Sequence, residues 1–111
     1  MEHVYHITTE HEAGQAGRSG TYEPEGFAAE GFVHCSREHQ VAPTADRFFA
    51  GRTGLVVLQI DPAALECEIV YENLEGGEEM FPHVYGRIPA AAIVAVHPLA
   101  PDTSGRFSFR P

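Results

Sequence analysis

The run "GLVVLQIDP" allows fewer folds than any other stretch of the chain. Leu55 to Leu58 are apolar without a break. A strand sends alternate side chains to opposite faces, so an unbroken run marks a central strand covered on both. The other extended runs read as its neighbours. "HVYHIT" alternates, with Tyr5 and Ile7 on one face and Val4, His6 and Thr8 on the other. Phe32 to Ser36 form a short strand in which Val33 and Cys35 take the core face, so that Phe32, His34 and Ser36 look away from it. "CEIVYEN" alternates as a half-exposed strand, "AAIVAVHPLAP" is a last strong strand, and "GRFSFRP" is expected to add an edge strand.

The helical signals between them are short. Thr8 or Thr9 caps a helix through "EHEAGQA" that Gly17 or Gly20 ends. A turn and a brief helix fit "TYEPEGFAAEG", with Pro24 near the first turn. Ser36 and Gln40 stand near capping-box spacing, and Pro43 is expected to split a first turn from a main helix running from Thr44 to Ala50 and stopping at Gly51. Asp61 and Pro62 begin a single turn. "LEGGEEMFPHVYGRIP" has the glycines, proline and charge of a functional loop around one extended piece. Strands in mixed order with few full helices predict an α+β fold, with a bent or split, mainly antiparallel sheet. The 111 residues form one domain without repeat or linker.

Charge narrows the partners. Sixteen acidic residues against seven arginines, with no lysine, give a formal charge of −9. Such a surface repels phosphate backbones, so nucleic acid is not expected as a partner. The absence of lysine removes Schiff-base chemistry and a phosphate-loop lysine. The N-terminal stretch has no basic segment followed by an apolar one, and no apolar run approaches the length of a membrane span. A cytoplasmic protein without membrane contact is the expectation, with Cys35 and Cys67 as buried, reduced thiols.

Seven histidines in so acidic a chain remain to be explained. His3, His11 and His97 sit near a terminus, in a helix or beside a turn proline, and His39 at a helix start; surface positions account for them. His6, His34 and His83 differ, because each lies in an extended segment whose opposite face is apolar, and Tyr85 shares the face of His83. Three strands that each offer a ring from the non-core face predict one cleft. Zinc or iron on His6, His34 and His83 with Glu72 or Glu79 is the competing reading, but no HExxH or CxxC spacing supports a metal. A nucleophilic Cys35 is disfavoured by its core-facing position, where a thiol stays protonated.

In order along the chain, "VYHIT", "EGFVHCS", "ADRFF", "LVVLQIDPAAL", "VYEN" and "FPHVYGRIP…IVAVHPL" resemble the domain of unknown function 952 family. The resemblance implies an ADP-ribosyltransferase-like fold, a split sheet that clasps NAD between its halves. In that superfamily the first motif is a "YHGT"-like strand whose histidine meets the ribose of NAD. The second motif is a strand with a small hydroxyl or ring residue, and the third usually offers a glutamate. Carried over, His6 and Thr8 match the first strand, His34 and Ser36 the second, and His83 with Tyr85 the third. Ile7 replaces the usual glycine, and Glu78 and Glu79 lie only near the third motif.

The resulting expectation is an enzyme, or former enzyme, acting on NAD or a related nucleotide as substrate, with no tightly bound cofactor. His6 and Thr8 would hold the ribose and Ser36 would share that wall. Tyr85 or Phe32 would stack, and His34 and His83, with Tyr85, would carry acid–base chemistry. Arg37 or Arg47 would meet a pyrophosphate, and the sequence does not choose between them. The alternative from another class is a non-catalytic module binding a small anionic ligand or a partner protein in the same cleft.

Overall fold

A computed structural model of the chain describes residues 2–74 and 76–111. The unbroken apolar run lies in β4 (Leu55–Ile60), between β1 (Val4–Thr9) and β8 (Ile93–Leu99) and antiparallel to both. Its even-numbered residues Val56, Leu58 and Ile60 join Val4, Tyr22, Val33, Cys35, Val84 and Ile88 in one core cluster. Leu55 and Val57 join Tyr5, Ile7, Val41, Ala45, Leu99 and Phe107 in another. Both faces of β4 are therefore dry, as an unbroken apolar run requires.

The second three-stranded sheet has the order β3 (Val33–His34), β6 (Phe81–Val84), β5 (Ile69–Glu72), again antiparallel, and a two-stranded ribbon pairs β2 (Thr21–Tyr22) with β7 (Ile88–Pro89). The two larger sheets meet at one antiparallel bridge. Tyr5 N donates to Ser36 O at 2.8 Å and Ser36 N to Tyr5 O at 2.7 Å. The fold is thus α+β and mainly antiparallel, with its sheet in separate pieces. Among the described residues no helix is long and apolar enough to cross a membrane.

Among the described residues three α-helices cover the sheets. Thr9 caps α1 (Glu10–Ser19) by accepting from Glu12 N, and Gly20 ends it at a left-handed φ of 84°. α2 (Phe27–Glu30) begins after Gly26, two residues beyond Pro24. α3 (Val41–Phe48) follows a 3-10 turn at Glu38–Gln40. Here the structure corrects the expected split: Pro43 sits inside the first turn of α3, where no backbone N–H has an intrahelical acceptor, so it costs no hydrogen bond. Ser36 is not the cap either, since Gln40 Oε1 accepts from Arg37 N at 2.9 Å.

Two strands are also revised. The tail "GRFSFRP" adds no strand; Phe107 N donates to Asp46 and Phe109 packs edge-on against Tyr5 and His97. Phe32 to Ser36 pair over fewer residues than expected, because after Cys35, whose N donates to Pro82 O at 3.1 Å, Ser36 pairs with Tyr5 instead of β6. The far edge of the first sheet is β8, whose register shifts opposite Gln59 and Ile60 and whose Val94 and Val96 are exposed.

Neither cysteine is in a disulfide; Cys35 is buried and Cys67, just ahead of β5, is half-buried. Cys67 explains Gly86, because a Cβ on Gly86 would stand 2.6 Å from Cys67 Cβ and 2.8 Å from its Sγ. Gly86→Ala is expected to cost about 1–3 kcal/mol by overpacking. Gly17→Ala, which meets no atom within 4 Å in α1, should gain up to about 1 kcal/mol of helix propensity. Urea unfolding of the two variants side by side measures both.

Candidate functional site

Side-chain parity on the second sheet assembles the site. Residues two apart share a face, so the face turned from the core carries Phe32, His34 and Ser36 along β3 and just beyond it. It also carries Phe81, His83 and Tyr85 from β6 and Val70 and Glu72 from β5. Val33 and Val84, on the opposite parity, are fully buried. His34 and His83 are register partners, with ring centroids 5.1 Å apart. Phe32 stacks on His83 at 4.5 Å and touches His34 and Tyr85 at 4.7 and 5.1 Å.

A pocket of about 280 Å³ opens between the two sheets at their bridge. His6, Cys35 and Ser36 line it beside His34 and His83, and α3 and the residue after it contribute Thr44, Phe48 and Phe49. Its wall is mostly aromatic, with polar groups converging from β1, β3 and β6.

His83 is buried, and its Nδ1–H donates to Glu72 Oε1 at 2.9 Å. The hydroxyl of Tyr85 donates to the same oxygen. The Tyr85 hydrogen bond, with that of His83, holds the Glu72 carboxyl below its usual range, while Glu72 pushes the Tyr85 phenol up. With Nδ1 protonated toward the carboxylate, Nε2 is the acceptor nitrogen of the neutral ring. It has no protein partner among the described residues, where no polar side-chain atom is buried without one. A carboxylate-oriented imidazole with its other nitrogen open can take a proton from a bound hydroxyl or water. His34 is half exposed, and its Nε2 lies 2.9 Å from Glu30 Oε2.

Several expected site residues turn out otherwise. His6 Nδ1–H donates to the His34 carbonyl at 2.6 Å, and Nε2 lies 2.8 Å from the Tyr22 hydroxyl. Both nitrogens are engaged, so His6 borders the pocket without a free atom for ribose. The Thr8 hydroxyl lies 2.9 Å from Tyr22 and 2.8 Å from Glu12; it too is occupied inside the fold. The face of β1 that carries Val4, His6 and Thr8 was expected to open on the cleft, but it is as dry as the other face. Phe32 is buried against His83 and offers no open stacking face, whereas Tyr85 is exposed. The Arg37 guanidinium lies 5.0 Å from the Tyr71 ring and that of Arg47 5.0 Å from Phe48, so of these two Arg47 lies against a pocket-lining residue, as Arg52 does 5.3 Å from Phe49.

The metal reading loses one of its three histidines with His6, and among the described residues no three His, Cys, Asp or Glu side chains converge on a point that could hold an ion. Burial pushes the Cys35 thiol far up, which keeps it protonated at the pocket wall. The sequence offers Glu72 beside His83 only as a metal carboxylate; the structure makes it the hydrogen-bond partner of His83 and Tyr85.

The chain belongs to the family described as protein of unknown function (DUF952), whose profile matches residues 7–96. It is similar to the crystal structure of protein CC0527 from Caulobacter crescentus, with a TM-score of 0.83 and 28% identity over 96% of this chain and 93% of that one. The solution structure of the same protein matches at a TM-score of 0.78 and 28% identity, covering 96% and 91% of the two chains. No curated protein matches.

His6 makes stability depend on pH. Burial lowers its pKa from 6.5 to about 4. Between those values the unfolded chain binds a proton that the folded chain refuses, so stability is complete above about pH 6.5 and falls as the pH drops toward 4. The loss is on the order of 3 kcal/mol. Urea unfolding from pH 4 to 8 should show that slope in the wild type, and His6→Gln, which does not titrate, should lack it.

Proposed function

We propose that the pocket is an acid–base site for NAD or a related nucleotide, in an ADP-ribosyltransferase-like arrangement of the two half-sheets. The observation that carries this reading is the Glu72–His83–Tyr85 cluster, where one carboxylate oxygen holds both a buried imidazole and a phenol. Glu72 supplies the carboxylate that the third motif lacked, behind the pocket-lining His83 and on the same sheet face. Breaking a glycosidic bond to nicotinamide develops positive charge on the ribose, and an ionised carboxylate stabilises it. His83 Nε2 takes the proton of the attacking hydroxyl. The pocket matches a nucleoside-sized fragment, which leaves the pyrophosphate outside, on the side of Arg47.

A second reading, non-catalytic binding, draws on the charge around the pocket. Arg47 over Phe48 and Arg52 over Phe49 set cations beside two pocket-lining rings, and holding an anionic ligand there needs no base.

The two are separated by incubating the protein with NAD. An enzyme releases nicotinamide, and Glu72→Gln should cut the rate by about 100-fold or more, the scale of one transition-state electrostatic contact. A binder shows only stabilisation, about 2.7 kcal/mol at a ligand concentration 100 times Kd. His34→Ala, at a half-exposed position, should leave Tm almost unchanged and weaken NAD about tenfold. Neither product nor stabilisation with NAD or ADP-ribose would sink both nucleotide readings.

A further inference from the structure

The end of α3 sets two cations against the pocket wall. Arg47 lies in the last turn of the helix, and Phe49 N closes that turn on Ala45 O at 2.8 Å. Gly51, at a left-handed φ of 79°, then bends the chain so that Arg52 N donates to Phe49 O at 3.0 Å. The guanidinium of Arg47 lies 5.0 Å from the Phe48 ring and that of Arg52 5.3 Å from Phe49, and both rings line the pocket. Stacking occupies only the face of a guanidinium. Its N–H donors point outward in the plane, where they can take the oxygens of an anion.

Neither group is ion-paired among the described residues, unlike Arg87, which Glu23 holds at 2.7 Å. Asp46, beside Arg47 in the chain, is engaged by Phe107 N at 2.8 Å. Arg52 also borders the open cleft beside α1, so it stands at the outer margin of the pocket. α3 packs on β1, with Val41 and Ala45 against Tyr5 and Ile7, whereas Glu72 stands on β5, the strand of the second sheet farthest from the bridge. The pocket therefore has an arginine end and a carboxylate end.

Such a pocket sorts ligands by where their charge sits. A glycosidic carbon that becomes cationic belongs at the carboxylate end, and a phosphate at the arginine end. One ribose separates the two in a nucleoside 5′-phosphate. A cavity of about 280 Å³ takes the nucleoside part and leaves the phosphate at the arginine rim. We propose that Arg47 and Arg52 form a phosphate subsite, and that the ligand is a nucleoside 5′-phosphate recognised as far as its first phosphate. The second nucleoside of NAD then adds little. The choice of nucleotide rests on the function proposed above; the phosphate subsite does not.

Calorimetric titration compares nicotinamide mononucleotide with nicotinamide riboside, which differ only in the phosphate, and both with NAD. Phenyl phosphate and phenol serve as a pair without ribose. The mononucleotide should bind about tenfold tighter than the riboside, the scale of one charge-assisted contact, and NAD should fall within about threefold of it. Arg47→Gln and Arg52→Gln should each erase most of that preference and leave the affinity of the riboside unchanged. An arginine that only stabilises the end of α3 would instead lower Tm and keep the preference. Both side chains are exposed, so the variants should fold. The subsite is overturned if neither phosphate outbinds its phosphate-free partner, or if the preference survives both substitutions. The limit at one phosphate is overturned if NAD binds more than about tenfold tighter than the mononucleotide. If phenyl phosphate outbinds phenol through the two arginines while no nicotinamide compound binds, the subsite stands and the NAD reading falls.

Discussion

Two hydrogen bonds between Tyr5 and Ser36 hold the two larger sheets in register. His6, His34 and Cys35 lie within two residues of that bridge, and His83 lies across a strand from it. His6 follows Tyr5 and donates to the His34 carbonyl, while Ser36 and His34 belong to the second sheet. Because the strands diverge on either side of a single bridge, a gap opens between them, and α3 closes it with Phe48 and Phe49. The pocket follows from joining two sheets at one point rather than along a ladder.

What was legible in the sequence was parity. Alternation placed His34 and Ser36 away from Val33 and Cys35, and grouped His83 with Tyr85, because a strand with one dry face has little freedom in the matter. What alternation cannot say is whether the second face is wet. Val4, His6 and Thr8 read as a cleft-facing row, yet Tyr22, more than a dozen residues further on, lies over them and brings a hydroxyl that satisfies both polar members. A buried histidine and threonine look like site residues until their partner is known, and that partner sits in a two-residue strand that propensity cannot detect.

Glu72 shows the same limit from the other side. In the sequence it stands with Glu79 as a possible metal carboxylate; on β5 it becomes the residue that fixes the tautomer of His83. The hairpin register made that pairing, and register is set by the core contacts of Ile69 and Val84 rather than by the polar residues it aligns. The acidic surface and the site therefore share a residue type but not a physical role. The seven arginines are spread in a similar way, with three of them lying over aromatic rings.

The outer edge of β8 bears on how such molecules stay apart in a crowded solution. A flat, fully hydrogen-bonding edge is a template on which a strand of another chain can lie and extend the sheet without limit. Here Pro98 supplies no N–H at one end of that edge, and the register shift opposite Gln59 and Ile60 breaks the ladder at the other. Between them only Ala95, Val96 and His97 present regular backbone. The exposed valines thus sit on a border too short to seed a fibril, and the first sheet ends at three strands by construction.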